Sequence, residues 1–321
     1  LVGEGGGVDK NMEIDPTQKV AGTDGRSPSA MLVTTFSDEL TLSSHGKSKV
    51  FGVSVKDRGA VTMAGHSGKA FWFSKSKGEF VTSTYYYDAC PEWVEEWNGK
   101  GLPQAYADTN WDLMHDKSTY TYGSFDDMPY ETNLPGYGVV FPHPFGKADG
   151  KLFTTLLTVS PAGDELTLEF AQELIVKEDL GQDEVPDYLS ISFSSTDYVG
   201  HIFGPSSLES EDNLLRLDKT LSELFAFIDK HVGLKNTLVV LSADHGSHFF
   251  LGAATILLGW ARPQVGQPET CISELLQVLY ILRNIGAESG VVRGLGMLAE
   301  PYGNAAQLVL ADDAVDEGLQ L

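Results

Sequence analysis

Two pairs of carboxylate and imidazole side chains have the types and spacing of metal ligands. Asp197 and His201 lie four positions apart, and Asp244 and His245 are adjacent. Mixed oxygen and nitrogen ligands suit zinc best, with manganese and iron next, whereas magnesium and calcium prefer oxygen alone. Two such pairs could hold two ions about 3.5 to 4 Å apart, which would clamp the attacking and leaving oxygens of a phosphoryl transfer. The alternative is that Asp197 caps a turn, His201 packs locally and the second pair is an ordinary loop.

A second group of charges consists of Lys56 and Arg58, on either side of Asp57. In an extended chain these two basic side chains can point the same way. A guanidinium fork combined with an ammonium group fits a tetrahedral oxyanion. A solvated basic pair is the other interpretation, and their position directly after an apolar stretch weakens it.

The overall charge restricts the ligands that such a site could serve. The chain of 321 residues has 22 Lys and Arg against 45 Asp and Glu, a net charge of −23. An anionic field of this size opposes binding to nucleic acid, and the sequence has no basic stripe that would offset it. An anionic substrate would therefore need a local source of positive charge, either a few basic side chains or a metal ion.

Apolar runs precede each of these groups and predict buried strands. The runs cover residues 49–55, 187–194 and 237–242. The first ends just before Lys56, and the other two end shortly before the two Asp/His pairs. Their β-branched and aromatic composition and short length are typical of strands covered on both faces.

A helix is predicted between the second and third strands. Ser206 and Glu209 form a capping box at its start, apolar residues recur every three or four positions, and His231 marks its end. Strand, helix and strand of this length predict a right-handed crossover between parallel strands. Both Asp/His pairs would then lie at the carboxyl edge of one sheet, where open α/β sheets bind ligands. This placement favours metal ligation over the alternative.

Composition divides the chain into four regions. Residues 1–61 begin an α/β core, and 151–247 continue it with the metal-ligand motifs. Residues 62–150 hold four of the five tryptophans and many turns, and predict an aromatic-rich insertion or cap. Its aromatic side chains form a small core or line a cleft. Residues 248–321 carry weaker signals and form a separate C-terminal segment.

Four separated segments resemble one known family, in order and in spacing. The resemblance is to the alkaline phosphatase superfamily, in the branch of type I phosphodiesterase/nucleotide pyrophosphatase-like enzymes that includes secreted zinc-dependent alkaline phosphatases with a Lys-x-Arg phosphate clamp. It implies an α/β fold with a mixed, mostly parallel sheet sandwiched by helices. The segments are SKVFGVSVKDRGAVTMAGH (48–66), SISFSSTDYVGHIFGP (190–205), EDNLLRLDKTL (211–221) and VVLSADHG (239–246).

The resemblance also implies roles for the metal-ligand candidates. In this family two zinc ions are held by Asp and His residues, and a Thr or Ser nucleophile is phosphorylated and then hydrolysed. Asp197 and His201 match the ligands of the zinc that activates water and the leaving group. Asp244 and His245 match ligands of the zinc that activates the nucleophile.

Lys56 and Arg58 match the residues that bind the phosphoryl oxygens and stabilise the transition state.

The family's first Asp ligand and its nucleophile have no match in the chain, and no histidine follows His248 to supply the last ligand. Residues 248–290 also differ from the family segment expected there, as a real insertion or a reading-frame artefact would. We therefore expect an incomplete domain, a fragment that binds zinc weakly and is nearly inactive by itself.

The expected parent activity is hydrolysis of small phosphate monoesters. The alternatives are a phosphodiesterase, nucleotide pyrophosphatase or sulfatase of the same superfamily, and a non-catalytic metal- or phosphate-binding remnant. The longest uncharged apolar run, residues 249–261, is shorter than the roughly 17 to 25 residues of a membrane-spanning helix. The resemblance further implies a periplasmic or extracellular location. We also expect a monomer, and the charge balance disfavours nucleic-acid partners.

Overall fold

A mixed sheet of six strands forms the centre of the fold. The computed structural model describes residues 26–128, 131–243 and 245–246, together with the backbone of 13–15 and 18–21. The strand order is β2–β1–β5–β4–β3–β6. The strands are β1 (Glu13–Asp15), β2 (Gln18–Ala21), β3 (Val50–Ser54), β4 (Lys69–Ser74), β5 (Glu79–Ser83) and β6 (Tyr188–Ser192).

The direction of each strand pair determines which strand ends lie at the same edge of the sheet. Strand β3 lies between β4 and β6 and is parallel to both, whereas the remaining pairs are antiparallel. The carboxyl ends of β4, β3 and β6 therefore lie along one edge of the sheet. The alkaline-phosphatase-like mixed sheet expected from the sequence is confirmed, and its parallel part carries the segments that follow β3 and β6.

Seven α-helices accompany the sheet in the described part of the chain. They are α1 (Phe36–Ser43), α2 (Asp57–Ala64), α3 (Glu92–Gly99), α4 (Phe153–Thr158), α5 (Pro161–Lys177), α6 (Ser195–Phe203) and α7 (Leu208–His231). None of the helices in these ranges has a stretch both long and apolar enough to cross a bilayer.

Strand β3 is buried throughout and tightly covered by α2. A Cβ atom added to Gly52 in β3 would lie 2.2 Å from the carbonyl oxygen of Ala60 in α2. Real Cβ atoms do not approach so closely, so glycine is what lets the helix backbone rest on the strand. This contact fixes the amino end of α2, and with it the Lys56 to Arg58 segment, above the carboxyl edge of the sheet.

Aromatic side chains from the predicted insertion, residues 62–150, belong to the main core. Phe80 in β5 stacks on Phe170 in α5 with ring centroids 4.2 Å apart, and Trp97 packs edge-on against both rings. Rings of this size bury enough apolar area to stabilise the fold by roughly 2–3 kcal/mol each. The structure thus favours the core interpretation of these aromatics over the cleft. Residues 62–150 also supply β4 and β5 to the central sheet, and the predicted boundaries of the insertion stay a prediction.

The helix predicted before His231 forms one position later than expected. It begins at Leu208, and the capping side chain is Ser207, which accepts from Ser210 N–H, rather than Ser206. Its end at His231 is as predicted. The segments that precede and follow it are therefore correctly placed along the chain.

The third predicted strand is wrong. Residues 237–242 form no strand in the structure, and Leu238, Val240 and Leu241 are 88%, 79% and 82% exposed. Strand β6 pairs only with β3 within the described residues. An apolar run predicts burial on both faces, but pairing also requires neighbouring backbone that the run itself does not specify. The predicted strand–helix–strand unit is therefore not formed. The structure has strand β6 followed by the two helices α6 and α7.

Candidate active site at the carboxyl edge of the sheet

Asp197 and His201 lie on one face of the first turns of α6. Strand β6 ends at Ser192, and α6 starts three residues later, so both side chains are carried to the carboxyl edge of the sheet. Positions four apart on a helix are neighbours. The His201 Nε2 atom is 3.0 Å from Asp197 Oδ1.

His245 joins this pair from a distant part of the sequence. Its Nε2 atom is also 3.0 Å from Asp197 Oδ1, and one donor atom from each of the three residues lies within 4.8 Å of the others. Ligands of a tetrahedral zinc ion at 2.0–2.1 Å would be separated by about 3.3 Å. One carboxylate and two imidazoles converging in this way fit zinc in donor type and approximate spacing.

The fourth predicted ligand, Asp244, lies outside the described residues. The structure therefore brings together three of the four metal-ligand candidates. His201 and His245 are about two-fifths exposed, and Asp197 is more enclosed at 15%. A metal at this position would be held at the rim of the sheet, accessible from one side.

Lys56 contacts the other oxygen of the same carboxylate. Its Nζ atom pairs with Asp197 Oδ2, and its side chain is only 13% exposed. Burial opposes ionisation of Asp197, but the Lys56 ammonium and the two nearby imidazoles outweigh it, so the pKa of Asp197 lies below its usual value. The carboxylate is thus kept ionised, which metal coordination requires.

Arg58 reaches this region by a geometry that differs from the predicted one. The strand ends at Ser54 and helix α2 begins at Asp57, so Lys56 is the residue before the helix and Arg58 is in its first turn. The expected alternation along an extended chain is therefore wrong. Arg58 is solvent-exposed, and the Asp57 carboxylate between the two basic residues pairs with Arg26.

Three serine hydroxyl groups connect the ends of β3 and β6. Ser194 Oγ lies 2.9 Å from Ser54 Oγ and 2.7 Å from Ser192 Oγ, and the Lys56 N–H donates to Ser54 Oγ at 2.9 Å. These bonds join the backbone that leads into α2 to the backbone that leads into α6. They help to hold Lys56 against the helix that carries Asp197.

Asp164 in α5 holds the amino end of α6, and the sequence analysis missed it. Its buried carboxylate accepts hydrogen bonds from Ser195 N–H at 2.9 Å and from Thr196 N–H at 3.1 Å. A carboxylate at a helix amino end also interacts favourably with the helix dipole. No local pattern around Asp164 indicates this role, because its partners lie in another helix.

The close approach of α5 to α6 depends on Gly163. A Cβ atom added there would lie 2.2 Å from Ser195 Oγ. On the opposite side, Asn213 Nδ2 of α7 donates to Thr196 Oγ1 at 2.9 Å. The first turn of α6 is thus fixed between two other helices, which restricts where the Asp197 carboxylate can point.

Lys75 is a third basic residue at the same edge, and the sequence analysis did not single it out. It follows β4 directly, and its Nζ atom lies 4.4 Å from the centre of the Tyr198 ring. Lys56 Nζ lies 4.2 Å from the centre of the same ring. Its position after an apolar strand is the signal that could have identified it, since the same signal identified Lys56.

Comparison with known proteins places this chain in a family. The sequence profile described as type I phosphodiesterase/nucleotide pyrophosphatase matches residues 33–250. This range includes both Asp/His pairs and the Lys56 to Arg58 segment. The chain belongs to this family, which lies within the alkaline phosphatase superfamily.

Individual relatives agree with this assignment. The chain is 43% identical over 223 residues to the alkaline phosphatase PhoV of Synechococcus elongatus, a match covering 69% of this chain and 40% of that protein. It is 40% identical over 228 residues to the alkaline phosphatase PafA of Elizabethkingia meningoseptica, covering 70% of this chain and 42% of that protein.

A crystal structure of wild-type alkaline phosphatase PafA superposes with a TM-score of 0.69 at 38% identity, over 77% of this chain and 48% of the PafA chain. The fold is therefore that of the alkaline phosphatases. The chain spans less than half the length of the curated relatives that it matches.

Proposed function

We propose that this chain supplies metal-binding and phosphate-binding residues to a zinc-dependent phosphate monoester hydrolase of the alkaline phosphatase type. The observation that carries the proposal is the convergence of Asp197, His201 and His245 on one point, with the Lys56 ammonium on the same carboxylate. Membership in a family of phosphate ester hydrolases supports it. The net charge of −23 makes such a local cationic site necessary for an anionic substrate.

The metal ligands in this proposal are Asp197, His201, Asp244 and His245. A bound zinc ion would act as a Lewis acid on a phosphoryl or leaving-group oxygen. The serine hydroxyls and Asp164 orient the segment that carries Asp197, so this ligand is held in place before a metal binds. The resemblance assigns the two pairs to two separate zinc ions, and the proposal keeps this assignment; because His245 lies 3.0 Å from Asp197, the two ions would be close neighbours.

Lys56 and Arg58 bind the non-bridging phosphoryl oxygens in this proposal. Two cations match a monoester, which carries two negative charges near neutral pH, better than a diester, which carries one. The Lys56 side chain is enclosed and held by Asp197, so it is already ordered and loses little freedom on binding an anion. Arg58 is exposed and would order only when the anion is present.

We also propose that the catalytic nucleophile is not among residues 1–321, so that the chain alone has little turnover. The family resemblance leaves no Thr or Ser of this chain in that role, and the relatives extend over more than twice the matched length. Export from the cytoplasm is carried over from the resemblance, and a monomeric state is a further expectation of the same proposal.

Calorimetric titration of the purified chain with inorganic phosphate, with zinc present, tests the proposal. We expect binding that requires zinc, is lost in Lys56→Met, and is retained in Lys77→Met, a nearby lysine outside the site. Phosphate affinity that does not change with zinc or with Lys56→Met would contradict it. Turnover of an aryl phosphate at the rate of an intact phosphatase would contradict the proposed lack of a nucleophile.

A comparison of phosphate with dimethyl phosphate in the same titration addresses the phosphodiesterase alternative. A doubly charged site should prefer the dianion of inorganic phosphate to the monoanionic diester. Equal affinity for the two would instead support the phosphodiesterase alternative, which the name of the matching family also suggests.

A further inference from the structure

Lys75 lies beside the proposed phosphate site, on the side away from the metal ligands. It follows β4, Lys56 follows β3, and Asp197 follows β6, and these three parallel strands are adjacent in that order. Neighbouring strands are about 4.8 Å apart. A phosphoryl group held between Lys56 and the metal ligands would therefore lie roughly one strand spacing away from Lys75.

Tyr198 links the two ammonium groups. Its ring centre is 4.2 Å from Lys56 Nζ and 4.4 Å from Lys75 Nζ, and Lys75 Nζ donates a weak hydrogen bond to Tyr198 Oη at 3.4 Å. Lys56 is directed to the Asp197 carboxylate, whereas Lys75 is directed to the hydroxyl end of the ring. Both ammonium groups thus lie close to the same ring, Lys56 at the Asp197 carboxylate and Lys75 at the ring hydroxyl.

Lys75 has no carboxylate partner within 4.0 Å among the described residues, although acidic residues outnumber basic ones twofold in this chain. Its side chain is partly enclosed, and burial lowers its pKa, as do the nearby charges of Lys56 and Arg58, against the opposing effect of Asp57. A cation–π contact with the Tyr198 ring and a hydrogen bond of 3.4 Å compensate only weakly for this desolvation. An anionic ligand would relieve it.

We propose that Lys75 forms a second anion subsite, which recognises a negatively charged group on the alcohol portion of a phosphate monoester. The inference rests on the proposed function, because it takes Lys56 and Arg58 as the site of the phosphoryl group. The preferred substrates are then phosphate monoesters whose leaving group carries a carboxylate or a further phosphate. Lys75 is a specificity-determining residue and does not contact the reacting atoms.

Two stable phosphonates of nearly equal size test this subsite. Propylphosphonate and 3-phosphonopropionate differ in a terminal methyl group against a carboxylate, and neither is hydrolysed. Calorimetric titration of the full chain with zinc should give roughly tenfold tighter binding of 3-phosphonopropionate, the effect of one charge-assisted hydrogen bond. The ratio of the two affinities should fall to near one in Lys75→Met and should be largely kept in Lys75→Arg.

Two further variants separate this inference from the proposed function. Lys77→Met, two positions away, should keep the wild-type ratio, whereas Lys56→Met should weaken both phosphonates. An unchanged ratio in Lys75→Met would overturn the subsite and leave the phosphate site intact. Failure of the wild-type chain to bind either phosphonate would contradict the phosphate site and the subsite together.

Discussion

The carboxylate of Asp164, buried at 2% exposure, accepts two hydrogen bonds from Thr196, one from its N–H at 3.1 Å and one from its hydroxyl at 3.0 Å. Thr196 immediately precedes Asp197 in the first turn of α6. A residue of α5 therefore sets the backbone position of a proposed metal ligand without contacting the metal site. This relationship links the stability of the core to the geometry of the site.

Replacing Asp164 should destabilise the fold in a graded way. Asp164→Ala leaves the N–H groups of Ser195 and Thr196 without their buried acceptor, and we expect the free energy of unfolding to fall by about 2–4 kcal/mol. Asp164→Asn keeps one acceptor oxygen and should cost about half as much. Urea denaturation measures both. Glu169→Ala, at an exposed position of the same helix, is the matched control and should change little.

The same carboxyl group should make stability depend on pH. Burial raises the pKa of Asp164 to about 7 despite the hydrogen bonds that it accepts. Between about pH 4 and pH 7 the folded chain holds a proton at Asp164 that the unfolded chain has released, so stability falls as the pH rises through this window. The wild type should therefore lose stability relative to Asp164→Asn from pH 4 to pH 7. Parallel melting curves across that range would contradict this.

Local sequence patterns predicted the elements that depend on local interactions. The strands over 49–55 and 187–194 are confirmed as β3 and β6, and the helix before His231 is confirmed as α7. The run 237–242 has an equally strong strand pattern and forms no strand. The difference lies in pairing partners, which are remote in sequence and cannot be inferred from the run.

The sequence predicted those residues of the candidate site that follow the end of a recognisable strand. Asp197, His201 and Lys56 converge because β3 and β6 are adjacent and parallel. The sequence predicted that each group follows a strand end, but it did not predict that these two strands are neighbours. His245 reaches the same point without the strand that was expected to place it. Asp164 was missed because it acts through hydrogen bonds to another helix. Lys75 was missed because the strand that it follows, β4, lies within residues 62–150, which were predicted to be an insertion.

Asp212 should be among the most sensitive positions for stability. Its carboxylate is fully buried and accepts hydrogen bonds from Trp111 Nε1 at 2.6 Å, Tyr120 Oη at 2.5 Å, Met114 N–H at 2.7 Å and Arg216 Nε at 2.7 Å. Asp212→Ala would leave all of these donors without that acceptor, and we expect a loss of about 3–5 kcal/mol. Urea denaturation followed by tryptophan fluorescence measures it.

The control for this prediction lies on the same helix. Asp218 is exposed on α7, so Asp218→Ala should change the free energy of unfolding by less than about 0.5 kcal/mol. A similar loss in both variants would mean that the effect comes from helix α7 as a whole and not from the hydrogen bonds of Asp212.

The His66–Asp38 pair should stabilise the fold mainly at mildly acidic pH. His66 Nδ1 lies 2.9 Å from Asp38 Oδ2, and His66 Nε2 lies 3.2 Å from the Met31 carbonyl oxygen, so both ring nitrogens face acceptors. The hydrogen bond to Asp38 raises the pKa of His66 above its usual 6.5, against the opposing effect of burial. Burial acts to raise the pKa of Asp38, but its bonds from His66, Thr35 and Ser67 hold it well below the usual value.

The sign of the pH effect follows from these two shifts. The contribution of His66 is complete below about pH 6.5 and is lost as the pH rises through its raised pKa, whereas that of Asp38 is present above about pH 4 and is lost as the pH falls. His66→Gln should therefore lower stability most near pH 5.5, by about 1 kcal/mol, and much less at pH 9. Thermal melting at the two pH values measures this. His45→Asn, at an exposed histidine whose left-handed backbone asparagine tolerates, should show no such difference.

Zinc binding by the isolated chain should be weak and should depend on each proposed ligand. Asp197, His201 and His245 offer three donor atoms within 4.8 Å of one another, and a site with fewer ligands than a complete tetrahedral one holds the ion less tightly. Competition with a fluorescent chelator should give a measurable affinity that drops at least tenfold in His201→Ala and in Asp244→Ala. His231→Ala, which removes a histidine at the end of α7, should leave the affinity unchanged. Tightly held zinc that survives both ligand substitutions would contradict the ligand assignment, because the substituted residues could not then be the ones that hold the ion.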